Sequence, residues 1–398
     1  MNTLAAVSSL KHSERELLSF LLSLCEDSRT PLALWRLPGS ETKHLIISEN
    51  CRTLKEEDLL EDLEPGFLMA PFDKRDPRLF LPADFFFSFE KDALKRGDSN
   101  VESRSAAWLE EKLKSAAPTP ARRAAPLIGI AEGIGQESFV ALVQRIVSEI
   151  ESGTFEKVVP SRTRVITLPE SFDIVHAFQR LCSSYPQALI SFVSIPGVGT
   201  WLGASPEVLV AVQDKRIFKT VALAGTQPYD PGMNIKSVAW TQKEIEEQAL
   251  VERYVISCFK KIRLREYEEH GPRTVIAGNL MHLKSEFQVD MKATNFPQLG
   301  SVMLQLLHPT AAVCGMPQET SFEFLSAHEG YHRGFYSGYL GPVNVRRNID
   351  LFVNLRCMQI SGNQGILYAG AGVTIDSVPE KEWEETEMKF NTLLNVIL

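Results

Sequence analysis

Four glutamates could bind a metal. Glu244 and Glu247 lie three residues apart in "QKEIEEQ", and so do Glu382 and Glu385 in "EKEWEETEMK". On a helix, residues i and i+3 share a face. Two such faces meeting at one point would crowd carboxylates together, at a cost unless a hard cation such as Mg²⁺ lay between them. Taken one helix at a time, each pair reads first as a solvated surface, and Lys389, four residues after Glu385, as an ordinary helix salt bridge. Just upstream, "AGAG" holds Gly370 and Gly372. It is no dinucleotide fingerprint, because the third glycine would fall at Ile375. It is either a tight turn against a neighbouring backbone or a place where N–H groups approach a carboxylate.

Two further residues have acid–base potential. Lys157 in "FEKVVPSR" begins an apolar strand. It can snorkel to water, or desolvation can favour its neutral amine and make it a general base. Glu207 follows a proline in "GASPEV". Half-burial would raise its pKa and let it act as an acid. The single histidines of "NLMHLKS" and "LHPTAAVCGMP" read as satisfied core residues.

Positioning these groups requires a scaffold, and its elements are partly legible. "SERELLSFLLSLCED" predicts an amphipathic helix capped by Ser13, and "ADFFFSFE" a core or edge strand. "KSAAPTPARRAAP", Lys114 to Pro126, predicts a loop and the best boundary. The expected organisation is an N-terminal part, 1–125, and a catalytic region, 126–398, within one structural domain. "ESFVALVQRIVSEIESG" predicts a helix stopped at Gly153. "KVVPSRTRVITL" predicts a strand interrupted by Pro160, and "ALISFVSI", "TWLGAS" and "EVLVAVQ" predict successive strands. "QKEIEEQALVERYVISCFKKIRL" predicts a long helix, "SGNQG" a hairpin turn between strands, and "EKEWEETEMKFNTLLNVIL" a closing helix. Hairpins mixed with long helices point to α+β.

The bulk properties narrow the function classes. Of the 398 residues, 44% are hydrophobic and 23% charged, as in an ordinary globular protein. A formal net charge of −8 without a basic block argues against nucleic acid as the partner. Six scattered cysteines with no C-x-x-C spacing suggest neither a zinc site nor a disulfide framework. The sequence lacks a signal-peptide pattern and any apolar run approaching the ~18 residues of a membrane span, so a cytoplasmic protein is expected.

In this order, "FEKVVPSR", "LGASPEVL", "ALAGT", "QKEIEEQ", "LMHL", "LHPTAAVCGMP", "RGFYSGYLGPV", "VNLRCMQISG", "LYAGAGV" and "EKEWEETEMK" resemble the chorismate-utilising enzymes, the family of anthranilate synthase component I. The blocks run from about Glu137 to the C-terminus, and the chain before about residue 130 matches weakly. Within the family the chain is most similar to isochorismate synthases of the menaquinone and siderophore type. The resemblance implies large, mostly antiparallel sheets packed together with helices outside. It implies Mg²⁺ held by Glu247 and Glu385, with Glu244 and Glu382 nearby or acting through water. Arg356, beside Tyr336, would hold the enolpyruvyl carboxylate, with a backbone N–H from Gly370; Gly372 completes that turn. Lys389 would lie near the substrate carboxylate and His282 on the ring side. Ala224, Gly225, Thr226, Ala312, Val313 and Leu355 would complete the pocket.

The resemblance also implies the reaction. Aminodeoxychorismate synthases carry a lysine where this chain has Ala224, and anthranilate synthases lack the one matching Lys157. The combination implies water as nucleophile: Lys157 activates it for attack at C2 of chorismate, and Glu207 protonates the departing C4 hydroxyl. Salicylate synthases share this step; Ala312, where they tend to carry threonine, favours isochorismate as the end product. The expectation is a monomeric isomerase serving menaquinone synthesis, without an obligatory protein partner. The alternatives are a salicylate synthase, a siderophore-pathway isochorismate synthase, and a non-catalytic or amidotransferase-partnered chorismate-binding subunit. Two positions depart from the family pattern: Gln248 where histidine is common, and Pro160 where leucine is usual.

Overall fold

The computed structural model describes residues 13–90, 93–96, 133–230, 232–277 and 280–398. The predicted loop Lys114 to Pro126 lies outside them. Two nine-stranded antiparallel sheets dominate. In spatial order the first runs Ala93–Arg96, Phe85–Glu90, Lys43–Ile47, Leu32–Arg36, Leu189–Ile195, Gly199–Ser205, Cys357–Ser361, Gln364–Gly370 and Ser161–Thr167. The second runs Glu268–Ala277, Leu280–Asp290, Ile217–Pro228, Val208–Gln213, Ile349–Val353, Tyr339–Val343, Gly66–Ala70, Arg78–Pro82 and Arg52–Leu54. A third, two-stranded piece pairs Lys157–Val158 with Gly315–Met316.

Strand alternation assigns the layers, because successive side chains point to opposite faces. Ala33 and Trp35 join Phe67, Met69 and Phe352 in a core shared by both sheets, so the sheets pack face to face. Leu32 and Leu34 point the other way, into a core formed with helices α1 (Glu14–Asp27), α3 (Ile174–Ser184) and α7 (Pro379–Ile397). Leu68 and Ala70 point to the outer face of the second sheet, covered by α4 (Gln242–Lys261) and α5 (Leu299–Leu307). Helix α2 (Gln136–Glu151) and α6 (Gln318–His328) share a smaller core with Val158 and Val373. This is α+β with outer helices, as expected.

Local signals start the helices. Ser13 and Glu16 form a reciprocal capping box at α1. Thr241 and Glu244 form the same box at α4. Pro379 occupies the first turn of α7, where its missing N–H costs nothing. At Pro160 the predicted interruption divides the chain into strands Lys157–Val158 and Ser161–Thr167.

Candidate active site

Lys157 is fully buried on its two-residue strand, and its Nζ stands 2.8 Å from Oε1 of Glu247 on α4. Val158 and Val373 exchange backbone hydrogen bonds, which brings the turn after Gly370 alongside. A Cβ at Gly372 would lie 2.2 Å from Glu247 Oε1 and 3.1 Å from Lys157 Cε. Only glycine leaves room for the two side chains to meet there. At Gly370, a Cβ would come within 2.9 Å of Pro160 O and 3.1 Å of the Tyr336 hydroxyl.

The two acidic helices converge, but their glutamates differ. Lys243 of α4 pairs with Glu382 of α7, bridging the helices. On α7, Lys389 Nζ donates to Glu385 Oε1 at 2.6 Å and to the carbonyl of Gly370 at 2.7 Å. Glu244 faces its own helix start, accepting from Thr241 N at 2.6 Å and from Gln227 Nε2 at 3.3 Å. Burial raises the Glu247 carboxyl, but Lys157, Lys243 and Lys389 together outweigh it, and the group lies below its ordinary value. Burial, with the neighbouring Glu385 charge, lifts Glu382 to about 7. Oε2 of Glu382 is buried with no hydrogen-bond partner.

Glu207 is buried, 3% exposed. Burial raises it to about 7 against the pull of Lys157, a Thr310 hydroxyl 3.4 Å away, Arg356 and Lys389. Its backbone carbonyl accepts from Val353 N, which anchors the residue to the second sheet. Arg356 is buried with φ +48°, a left-handed conformation that costs a non-glycine residue about 1–3 kcal/mol. Its Nη2 lies 3.2 Å from His282 Nε2 and its Nη1 3.4 Å from Thr392 Oγ1. His282 Nδ1 lies 2.7 Å from Gly225 O. Burial, with Arg356 beside it, holds the imidazole at about 3, so it is neutral; Nδ1 carries the proton and Nε2 accepts from the guanidinium. His282 is therefore both a satisfied core histidine and the orienting partner of Arg356.

The remaining predicted residues fall around this centre. Ala224 is buried, Gly225 supplies the carbonyl to His282, and the Thr226 hydroxyl lies 3.5 Å from the same ring nitrogen. Tyr336 is buried and stacks on Tyr368 at 5.2 Å. Ala312 packs against the core of the second sheet, while Leu355 touches that core and the inter-sheet one. Val313 is buried and its carbonyl is taken by Arg333. His308 Nε2 donates to Pro71 O, 3.0 Å away, as the core reading of a lone histidine expects. Sequence reasoning missed Lys243, Thr310 and Thr392. Lys243 and Thr310 sit inside quoted blocks; only their contacts single them out.

Among the described residues, one group of three has ligand atoms within 4.8 Å of one another and could hold a divalent ion: Asp73, Asp76 and His332. The Asp73 carboxylate already receives Arg75, and His332 Nε2 is 3.0 Å from Asp76. The glutamates of α4 and α7 are not drawn into such a tight group among the described residues; a lysine stands against each of Glu247, Glu382 and Glu385. Among the described residues no helix is long and apolar enough to cross a membrane.

Residues 79–398 match the family model described as chorismate binding enzyme. The chain belongs to that family. It is 29% identical to the isochorismate synthase EntC of Escherichia coli (strain K12) over 66% of this chain and 67% of the relative. It is 30% identical to the isochorismate synthase DhbC of Bacillus subtilis (strain 168) over 64% of this chain and 66% of the relative. The solved structure of MenF, the menaquinone-specific isochorismate synthase from Escherichia coli, superposes with a TM-score of 0.74 at 20% identity, covering 95% of this chain and 91% of that one. That likeness shows the fold.

Proposed function

We propose that the protein is an Mg²⁺-dependent isochorismate synthase that interconverts chorismate and isochorismate. The observation that carries the reading is the buried pair of unlike groups. Lys157 sits with no solvent access, and burial holds the Glu207 carboxyl at about 7 against the pull of Lys157, so a lysine and a carboxylic acid that can donate a proton near neutral pH are buried within electrostatic reach of each other. In its amine form Lys157 takes a proton from water as the water oxygen bonds to C2. The ring double bonds shift, the C4–oxygen bond breaks, and Glu207 gives its proton to the departing hydroxyl, which leaves as water. Arg356, oriented by His282 and Thr392, holds the enolpyruvyl carboxylate.

The donor set suits Mg²⁺. Glu247, Glu382 and Glu385 offer carboxylate oxygens, the ligands of hard cations, and the unpartnered Oε2 of Glu382 is free to accept one. Bound there, Mg²⁺ would neutralise and orient the ring carboxylate of the substrate. Glu244 would contribute by fixing the start of α4. Six free thiols and the absence of a spanning helix among the described residues support a cytoplasmic enzyme. We assign it to menaquinone supply, tested by whether it restores menaquinone to a strain lacking isochorismate synthase.

The decisive experiment is product analysis of purified protein and chorismate, with and without Mg²⁺. Isochorismate alone, lost on chelation, is the expected result. Salicylate with pyruvate would replace the reading by a salicylate synthase. No Mg²⁺-dependent turnover would leave a binding subunit.

A further inference from the structure

Pro160, the departure from the family pattern noted in the sequence, leaves a structural problem that the chain solves with a buried ion pair. Across the break between strands Lys157–Val158 and Ser161–Thr167, the Val159 carbonyl and the Ser161 N–H bond to side chains. Buried backbone groups must find partners elsewhere. Glu329, at the end of α6, and Arg333 supply them. Oε1 of Glu329 accepts from Ser161 N at 2.6 Å and from Ser161 Oγ at 2.7 Å. Arg333 Nη2 donates to Val159 O at 2.7 Å, and Nη1 donates to Val313 O at 2.8 Å. The two side chains lock to each other through Arg333 Nε and Glu329 Oε2, and Nη2 and Oε1, each at 2.6 Å. Both are about 95% buried, at 4% and 5% exposure.

Two segments of the site meet at this pair, and the glycine turn rests on the first of them. Val159 is two residues beyond Lys157. Val313 accepts within the turn whose Thr310 hydroxyl reaches Glu207; Val313 N also donates to Thr310 O at 3.1 Å. Between the clamped residues, Pro160 O accepts from Ala371 N at 3.1 Å, holding the glycine turn. We propose that Glu329 and Arg333 are positioning residues that hold the amine of Lys157 in register with Glu207 and the glycine turn. This rests on Lys157 and Glu207 being the base and acid. A buried charge pair is weak evidence of stabilisation in itself, since desolvation offsets most of its attraction. Its fork-like geometry onto two backbone segments is what a placement function requires.

Four variants of the full-length enzyme test the proposal: Arg333→Lys, the double variant Glu329→Gln with Arg333→Met, Ser161→Ala, and Lys157→Ala. Each is checked for a cooperative melt, then kcat, KM for chorismate and the pH profile are measured. Arg333→Lys keeps the charge but cannot fork. It is expected to lower kcat roughly 10- to 100-fold, as about 1 Å of misplacement does, with KM changed by less than about threefold and the alkaline limb displaced. The neutral double variant is expected to do the same without a stranded charge. Folded pair variants with wild-type kcat and pH profile overturn the proposal, as does loss of kcat that only tracks loss of melting temperature. If the pair variants do not fold, Ser161→Ala decides: it removes the Oγ bond to Glu329 and leaves the backbone N–H as that strand's single hold on the carboxylate, a kcat lowered severalfold supports the proposal, and an unchanged kcat overturns it. Lys157→Ala separates the two readings. Full turnover there removes the base itself; no turnover there, with wild-type clamp variants, removes only the clamp.

Discussion

Glu207 ties the chemistry to pH. Its carboxyl rises from 4.5 to about 7 because it is buried. The native state thus holds a proton that the unfolded chain has lost between those values, and stability falls as pH rises through that window. The full penalty is roughly 3 kcal/mol, reached above about pH 7. Glu207→Gln should therefore melt higher than the wild type at pH 8, with the advantage gone below about pH 4.5. The same substitution should abolish turnover, because the amide cannot donate a proton to the leaving hydroxyl. In the wild type, kcat should decline on the alkaline side of about 7 as the acid ionises. A flat profile to pH 9 would remove Glu207 from the acid role. The sequence made this residue visible as a carboxylate beside a proline. It could not show the burial, which comes from strands and turns far apart in the chain. Glu244 illustrates the opposite limit. Its i+3 partner reaches Lys157, yet its own carboxylate closes a capping box, a local use that "T-x-x-E" also encodes.

Element placement depends on how α7 is held. Arg162, on the edge strand of the first sheet, lies 3.4 Å over the Trp383 ring and 4.7 Å from that of Phe390, and bonds Thr386 and Glu387. The contact pins the first half of α7, where Glu382 and Glu385 stand. Arg162→Ala should cost about 3 kcal/mol in urea unfolding, from lost cation–π packing and a stranded polar partner. It should also weaken Mn²⁺ binding, read by titration, because the two glutamates lose their fixed base. Unchanged stability and metal affinity would show α7 to be held by its apolar face alone. Helices α1, α4 and α7 were legible because each has a cap signal and a long apolar stripe. Helix α5, "LGSVMLQLL", was not: it is short and apolar almost all round, so no face stands out. Strands Leu32–Arg36 and Gly66–Ala70 are buried at every position, and the alternation that betrays a half-exposed strand is missing.

At the scale of the whole molecule, the N-terminal stretch is woven into both sheets. Leu32–Arg36 pairs with Leu189–Ile195 over five residues, and Gly66–Ala70 pairs with Tyr339–Val343 over five more. The sequence boundary near residue 125 follows composition, and composition does not register hydrogen bonding between distant strands. The family match begins at residue 79, inside strand Arg78–Pro82, well after those strands start. Removing residues 1–125 would strip Ala33, Trp35, Phe67 and Met69 from the core between the sheets and bare two long strand edges. Unpaired edges and exposed apolar faces of that size favour aggregation. We therefore propose one cooperative unit. A fragment of residues 126–398 should be insoluble or lack a cooperative transition, while the full chain should unfold in a single step reported alike by fluorescence and circular dichroism. A soluble fragment that melts cooperatively would divide the chain into two folding units and place the site wholly in the second.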